Sequence, residues 1–237
     1  MLTSKEAEEA EAYLRIPLPE MVFGKNTLVA EHSASKFAFY FNAIDALDRV
    51  DKTTDSVKVS YAKEWAATRT HSAGINDVIK PFDWTFSSDY TGTLINPDTV
   101  TITEIDEEID MEKLMQRDAI LHYSDVLLYE DELADNGCSI MNVKIRVMPG
   151  SFFILLRFFL RVDGVFVRVN DTRIFHEFST NYILREFTSR EQKFSVLNER
   201  CAPGTIHDLE FYSKPQTLHR LLDMTAGKRE KIAFNKP

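Results

Sequence analysis

The sequence predicts an α+β fold in which residues 1–237 form a single domain of antiparallel β-sheets with flanking helices. Three observations predict this class. Four apolar or alternating segments follow one another between residues 126 and 175, turn-forming residues separate them, and helical spacing is confined to short segments on either side. We therefore expect a four-stranded meander at the centre of the domain.

The first predicted element is a helix from Ser4 to Leu14. Ser4 can cap it, and the acidic residues that follow lie near the positive end of the helix dipole. Pro17 and Pro19 then end it. We expect residues 1–17 to form a peripheral N-terminal helix.

The next segment changes to the two-residue period of a strand. Phe37, Phe39 and Phe41 recur on one side of it, and residues 43–50 then favour a short helical turn. Further along we expect a strand over residues 57–61, a short helix over 63–69, a strand and turn over 78–86, and a strand beginning at Val100.

The strongest helical pattern precedes the meander. Asp110 can cap a helix that runs to about Tyr123, because Met111, Leu114 and Leu121 lie on one side at helical spacing. The pattern therefore predicts a helix over residues 110–123.

The meander is predicted over residues 126–133, 139–148, 152–162 and 165–175. The pairs Asn136-Gly137 and Asp163-Gly164 are typical of tight type I′ turns, in which both central residues have positive φ, and Pro149-Gly150 supplies the remaining turn. The segment 152–160 is the most apolar, so we expect it at the centre of the sheet with both faces covered.

The last third of the chain is predicted to contain more helix. Residues 189–192 have the spacing of a capping box and should open a helix toward Leu197. Residues 207–224 should be helical in part, and residues 225–237 should form a loose tail.

Composition narrows the class of partner. The formal charge of -9 disfavours binding to nucleic acid or to anionic membranes, because both carry negative charge. The two cysteines lie far apart and fit reduced thiols, and the acidic start of the chain does not resemble an export signal. Residues 152–160 are too few to span a membrane. We expect a cytoplasmic protein.

No motif predicts catalysis or a cofactor. The six histidines lack metal-ligand spacing, and the sequence has neither a phosphate-binding glycine loop nor a nucleophile elbow. His176, close in sequence to Asp171, is the one pair that suggests a hydrolase. We expect a chain that is not an enzyme and that needs no metal or cofactor.

Eight blocks of sequence point to a known family when they are read in order. They are LPEMVFG (18–24), FNAIDAL (41–47), IKPFDWT (79–85), DYTGTL (89–94), VKIRVMP (143–149), RFFLRVDG (157–164), NDTR (170–173) and LREFTSRE (184–191). Together they resemble the TIPRL family (TOR signalling pathway regulator-like). The resemblance extends over residues 18–197.

This resemblance implies a non-catalytic protein that binds the catalytic subunits of type 2A and related serine/threonine phosphatases, holds them inactive and acts in TOR signalling. It assigns the phosphatase contacts to Asp45, Ile109, Val169 and Asp171. We expect the two aspartates to accept hydrogen bonds or ion pairs, and Ile109 and Val169 to supply apolar contact.

Two alternatives remain at this stage. The first is a hydrolase that uses His176 and Asp171, which requires both side chains to lie in one concave pocket. The second is a general scaffold protein that binds its partners through an uncovered sheet edge.

Overall fold

The computed structural model describes residues 1–50, 88–115, 117–133, 135–201, 218 and 220–235, and these residues confirm the α+β class. They form two antiparallel sheets with helices packed against them. The predictions for residues 57–61, 63–69 and 78–86 lie outside the described residues, as does most of 207–224.

The described elements are four α-helices, one 3₁₀ helix and eleven strands. The helices are α1 (Ser4–Leu14), α2 (Ala43–Asp48), α3 (Met111–Met115) and α4 (Phe194–Arg200), with the 3₁₀ helix at Pro97–Thr99. The strands are β1 (Met21–Val22), β2 (Leu28–Glu31), β3 (Ala38–Phe41), β4 (Thr93–Ile95), β5 (Val100–Glu104), β6 (His122–Asp131), β7 (Gly137–Val147), β8 (Ser151–Val162), β9 (Phe166–Glu177), β10 (Tyr182–Lys193) and β11 (Asp223–Phe234).

The larger sheet contains the predicted meander. Its strand order is β1-β6-β7-β8-β9-β10-β11-β5, while β2, β3 and β4 form a separate three-stranded sheet. The strands β6 to β9 are consecutive and antiparallel, which confirms the meander and the central position of β8.

The larger sheet has two distinct faces, because burial alternates along β8. On the inner face, Ile154, Leu156 and Phe158 pack in one core with Phe39 and Phe41 of the small sheet. On the outer face, the odd-numbered residues of β8 are only partly buried and helices α3 and α4 lie nearby. Among the described residues, the cover predicted for both faces of β8 is therefore only partial on the outer face.

The N-terminal helix is confirmed with a shifted cap. Thr3, and not Ser4, is the N-cap, and its side chain and that of Glu6 form a reciprocal capping box. The helix ends at Leu14, whose side chain is fully buried in the inner core. This burial attaches the C-terminal end of α1 to the core.

Both predicted hairpins form, but their turns are not type I′. Positive φ occurs at Gly137 (148°) and Gly164 (73°), and not at Asn136 or Asp163. Val162 pairs with Phe166, so the loop between β8 and β9 has three residues and not two. One additional loop residue changes which side chains of the two strands lie opposite each other.

The helix predicted over residues 110–123 is wrong in extent. Only Met111–Met115 is helical, and β6 begins at His122. The N–H of Leu121 donates to the Val147 carbonyl at 2.9 Å, and Arg146 donates to the Leu114 carbonyl at 2.7 Å. Hydrogen bonds to β7 thus replace those that a longer helix would have made.

The helix predicted from the capping-box spacing at residues 189–192 is also wrong at its start. These residues continue β10, which is bonded to β9 on one side and β11 on the other. A helix begins only at Phe194. The ladders on both sides satisfy the backbone groups that a capping box would otherwise have bound.

The loose tail predicted for residues 225–237 is wrong over most of its length. Residues 223–234 form β11, which pairs with β10 and β5, and Ile232 is fully buried in the inner core. The side chains of this segment are mostly polar and exposed, which resembles a tail. Its backbone nevertheless forms hydrogen-bonded ladders with β10 and β5.

Gly137 offers a direct test of the turn geometry. A Cβ at this position would lie 1.9 Å from the Arg161 carbonyl oxygen, and the φ of 148° is unfavourable for any other residue. We expect Gly137→Ala to lower the free energy of unfolding by about 2 kcal/mol or more.

Gly150→Ala is the matched control, because its Cβ would meet no atom within 4 Å. We expect the control to be neutral or stabilising by up to about 1 kcal/mol in urea denaturation. Equal losses in both variants would contradict the turn geometry.

Candidate partner-binding face

Three of the four predicted contact residues lie on the outer face of the large sheet. Val169 and Asp171 occupy odd-numbered positions of β9, which face outward, and Ile109 packs onto the same side from the segment before α3. Thr188 of β10 lies directly opposite Asp171. The fold therefore brings together residues that are far apart in sequence.

Ile109 is part of an apolar cluster at one end of this face. It packs with Leu114, Phe175 and Leu184 and is almost completely buried. Its N–H donates to Glu186 Oε1 at 2.6 Å. The preceding segment is held by ion pairs from β11, since Arg229 contacts Glu108 and Lys231 lies 3.8 Å from Glu107. These contacts hold residues 105–110 against the sheet.

Val169 belongs to a second apolar cluster, located toward the other end of β9. The cluster consists of Val167, Val169, Phe194, Leu197, Leu218 and Leu222. Phe194 and Leu197 come from α4, so the cluster docks this helix on the outer face. Val169 is therefore a packing residue as well as a predicted contact.

Asp171 lies between the two clusters in an arginine-rich setting. Its oxygens accept two hydrogen bonds from Arg157, at 2.7 Å from Nε and 2.8 Å from Nη2, and a longer one of 3.5 Å from Arg173. Burial disfavours the charged form of Arg157, but the hydrogen bonds and charge of Asp171 outweigh it and raise the pKa of Arg157. The pair is thus a bidentate ion pair in a largely dry site.

A groove of about 470 Å³ runs over this part of the face. Residues of β9, β10, β11 and the segment before α3 line it, among them Ile109, Arg173, Glu186, Thr188, Arg190 and Met224. Its walls combine both signs of charge with a few apolar side chains. Such a lining suits a protein segment with both apolar and charged groups.

Asp45 does not join the other three residues. It lies in the first turn of α2, where Asn42 caps the helix by accepting from the Asp45 N–H at 2.9 Å. Its carboxylate accepts a short hydrogen bond from Thr93 and lines a separate cavity of about 420 Å³ together with Tyr90 and Arg185. Because Arg185 and Glu186 are successive residues of a strand, the two cavities meet opposite sides of β10.

The structure also separates the pair that suggested a hydrolase. Asp171 is at an odd position of β9 and faces outward, whereas His176 faces inward among the rings of Phe152, Phe178 and Phe234. The Nδ1 atom of His176 lies 2.8 Å from the Tyr182 carbonyl oxygen. The two side chains therefore share no pocket, and the proposed pair does not form.

Within the described ranges, no group of three or more His, Cys, Asp or Glu side chains is placed to hold a metal ion. A search of the same residues for a helix long and apolar enough to cross a membrane finds none.

Sequence reasoning missed Arg157 and Glu186 as residues of this face. The available signal was an arginine within an apolar run, which requires a partner when it is buried. The predicted two-residue turn would have paired Arg157 with Asn170, whereas the observed three-residue loop pairs it with Asp171. The loop length therefore concealed the ion pair.

Comparison with known proteins places the chain among the members of one family. A family model described as the TIP41-like family matches residues 21–198. The TIP41-like protein of Homo sapiens is 43% identical over 236 residues, which cover 99% of this chain and 84% of that protein.

Two fungal relatives carry more informative names. The type 2A phosphatase activator TIP41 of Saccharomyces cerevisiae is 39% identical over 224 residues, covering 88% of this chain and 63% of that protein. The type 2A phosphatase activator tip41 of Schizosaccharomyces pombe is 36% identical over 205 residues, covering 86% of this chain and 81% of that protein.

The Arg157–Asp171 pair predicts a large and specific loss of stability. Asp171→Ala leaves a largely buried guanidinium without its partner, so we expect the free energy of unfolding to fall by about 3 kcal/mol. Asp125→Ala is the control, because Asp125 forms an equally close ion pair, at 2.8 Å from Lys144, that is much more exposed. We expect a loss below about 1 kcal/mol there. If Asp171→Ala also loses less than about 1 kcal/mol in urea denaturation, the Arg157–Asp171 pair is not important for stability.

His176 predicts a pH dependence of stability. Burial lowers the pKa of His176, partly opposed by its hydrogen bond to the Tyr182 carbonyl. Because the folded pKa lies below the unfolded value of about 6.5, the unfolded state binds the proton more readily and stability falls as pH drops through and below that value. We expect His176→Phe to flatten this fall between about pH 7 and 5. The matched control is His122→Gln, at an exposed position, and it should retain the pH dependence of stability of the parent. If the parent, His176→Phe and His122→Gln all show the same pH dependence, His176 is not its source.

Proposed function

The chain belongs to the TIP41-like family, and from this premise we propose that it is a non-catalytic regulator that binds the catalytic subunit of type 2A and related protein phosphatases. Two relatives are named as type 2A phosphatase activators, which supports regulation of this class of phosphatase. We further propose a cytoplasmic role in TOR signalling, as the sequence resemblance implies.

One observation supports this proposal above the others. Val169 and Asp171, which the resemblance assigns to phosphatase contact, share one face of the sheet through the alternation of β9, and the fold brings the third such residue, Ile109, onto the same face. The groove of about 470 Å³ on this face, which Ile109 lines, offers a concave surface for a protein segment.

Asp45 enters the proposal as a second and separate contact. It is partly exposed and lines the cavity beside Arg185, on the other side of β10. A phosphatase that contacted both cavities would have to reach around the edge of the sheet. The outer face is therefore the primary surface in this proposal.

Local charges, and not the net charge, provide the electrostatic contact. A chain of charge -9 does not steer toward an acidic partner surface. The groove, however, contains Arg173, Arg190, Lys228 and Arg229 beside its carboxylates. These groups can pair with acidic residues of a phosphatase even though the overall field is unfavourable.

The direction of regulation is open to a direct assay. The resemblance implies that the phosphatase is held inactive, whereas the fungal relatives are named activators. Titration calorimetry with a purified type 2A catalytic subunit measures binding. The phosphatase activity of the complex, compared with that of the free subunit, then shows whether the chain activates or inhibits the enzyme. Absence of binding would refute the proposed function.

Filling the groove tests its location. Thr188 lines the groove opposite Asp171, so Thr188→Tyr places a bulky side chain there without adding charge. We expect at least about tenfold weaker binding to the catalytic subunit in calorimetry, the equivalent of about 1.4 kcal/mol. Thr27→Tyr, at an exposed position between β1 and β2, makes the same change away from the groove and should bind like the parent. Unchanged affinity of a folded Thr188→Tyr protein would place the phosphatase elsewhere.

A further inference from the structure

The predicted contact residues of the outer face are hardly accessible. Ile109 is 2% exposed, Val169 is 5% exposed and Asp171 is 2% exposed. A side chain this deeply buried offers almost no surface to a second protein. If these positions matter for phosphatase binding, other groups must provide most of the contact.

Asp171 is the clearest example. Both of its oxygens accept from Arg157 in a bidentate pair, and Oδ2 also faces Arg173 at 3.5 Å. Neighbours within the chain thus occupy the carboxylate, and its burial leaves little access from solvent. Its evident role is to hold the two guanidinium groups in place.

Arg173 is the neighbour that reaches the groove. It is the next outward-facing residue of β9, its side chain is 17% exposed, and it lines the groove together with Ile109 and Glu186. Glu186 lies directly opposite it on β10 and accepts the Ile109 N–H. Arg173 therefore has the Asp171 carboxylate as an ion-pair partner and Glu186 as its cross-strand neighbour.

The buried cluster of Arg157, Asp171 and Arg173 carries a net positive charge, while the groove beside it is lined by both carboxylates and cations. Arg157 and Arg173 carry two positive charges, and Asp171 supplies one negative charge between them. Glu186 is partly engaged by Arg229, whose Nε lies 3.9 Å away. A guanidinium has five N–H donors, so it can bind one carboxylate of its own chain and a second from a partner.

We infer that Asp171 is a positioning residue, and that the Arg173 guanidinium it orients binds an acidic side chain of the phosphatase in the groove. This inference rests on the proposed function and specifies the chemistry of its contact. It assigns the direct interaction to a residue that the family resemblance does not name among the phosphatase contacts. Arg157 completes the arrangement by holding the Asp171 carboxylate in a bidentate pair beside Arg173.

A double-mutant cycle tests this assignment by calorimetry with the type 2A catalytic subunit. We expect Arg173→Ala to weaken binding about tenfold or more, because a close charge pair is lost. Asp171→Asn, which keeps the volume of the side chain, should weaken it through disorder of Arg173. The double variant should bind no more weakly than Arg173→Ala alone, since both changes remove the same contact.

Two further readouts separate this role from a structural one. The parent affinity should fall with added salt, and that dependence should be smaller in Arg173→Ala because a charge pair has been removed. Arg173→Lys should restore part of the affinity. Arg168→Ala is the matched control, since Arg168 is an ion-paired arginine of the same strand on the opposite face and should bind like the parent.

The outcomes are distinguishable. If the parent does not bind, the proposed function fails together with this inference. If the parent binds and folded Arg173→Ala binds equally well with the same salt dependence, only this inference is overturned. Additive losses from Asp171→Asn and Arg173→Ala would show that Asp171 contacts the phosphatase directly, which also overturns it.

Discussion

The register between β8 and β9 is the constraint on which the rest of the structure depends. It places Arg157 opposite Asp171, so that the charge of each is neutralised at a buried position of the sheet. A slip of one residue would turn the apolar inner face outward and leave both charges without partners. The three-residue loop after Val162 sets this register, and the ion pair and the inner core both reinforce it.

The two faces of the large sheet have different roles because of this register. The inner face carries the largest apolar cluster, which packs against the small sheet and the end of α1. The outer face is divided into two small apolar clusters separated by the charged residues Arg157, Asp171 and Arg173. A face with so little apolar packing of its own can present charged groups at a groove without weakening the main core.

The same arrangement explains why residues expected to contact a partner are buried. Ile109 and Val169 fix the positions of the segment before α3 and of α4, and Asp171 fixes two arginines. In the proposed function, the binding surface is the product of these internal contacts. Substitution of a buried residue can then reduce binding by displacing its exposed neighbours, even though the residue itself does not reach the partner.

The sequence by itself determined the elements whose signals are local. Alternation and apolar runs predicted the meander, and the composition and motifs predicted the α+β class and the family. Tertiary structure decided what local signals could not. Residues 189–192 have the spacing of a capping box yet form a strand, and residues 223–234 are polar yet pair on both sides, because neighbouring strands satisfy their backbone groups. Likewise, only the loop length and the resulting register decided that Asp171 meets Arg157. The packing of α2 beside β4 decided that Asp45 lies in a different cavity.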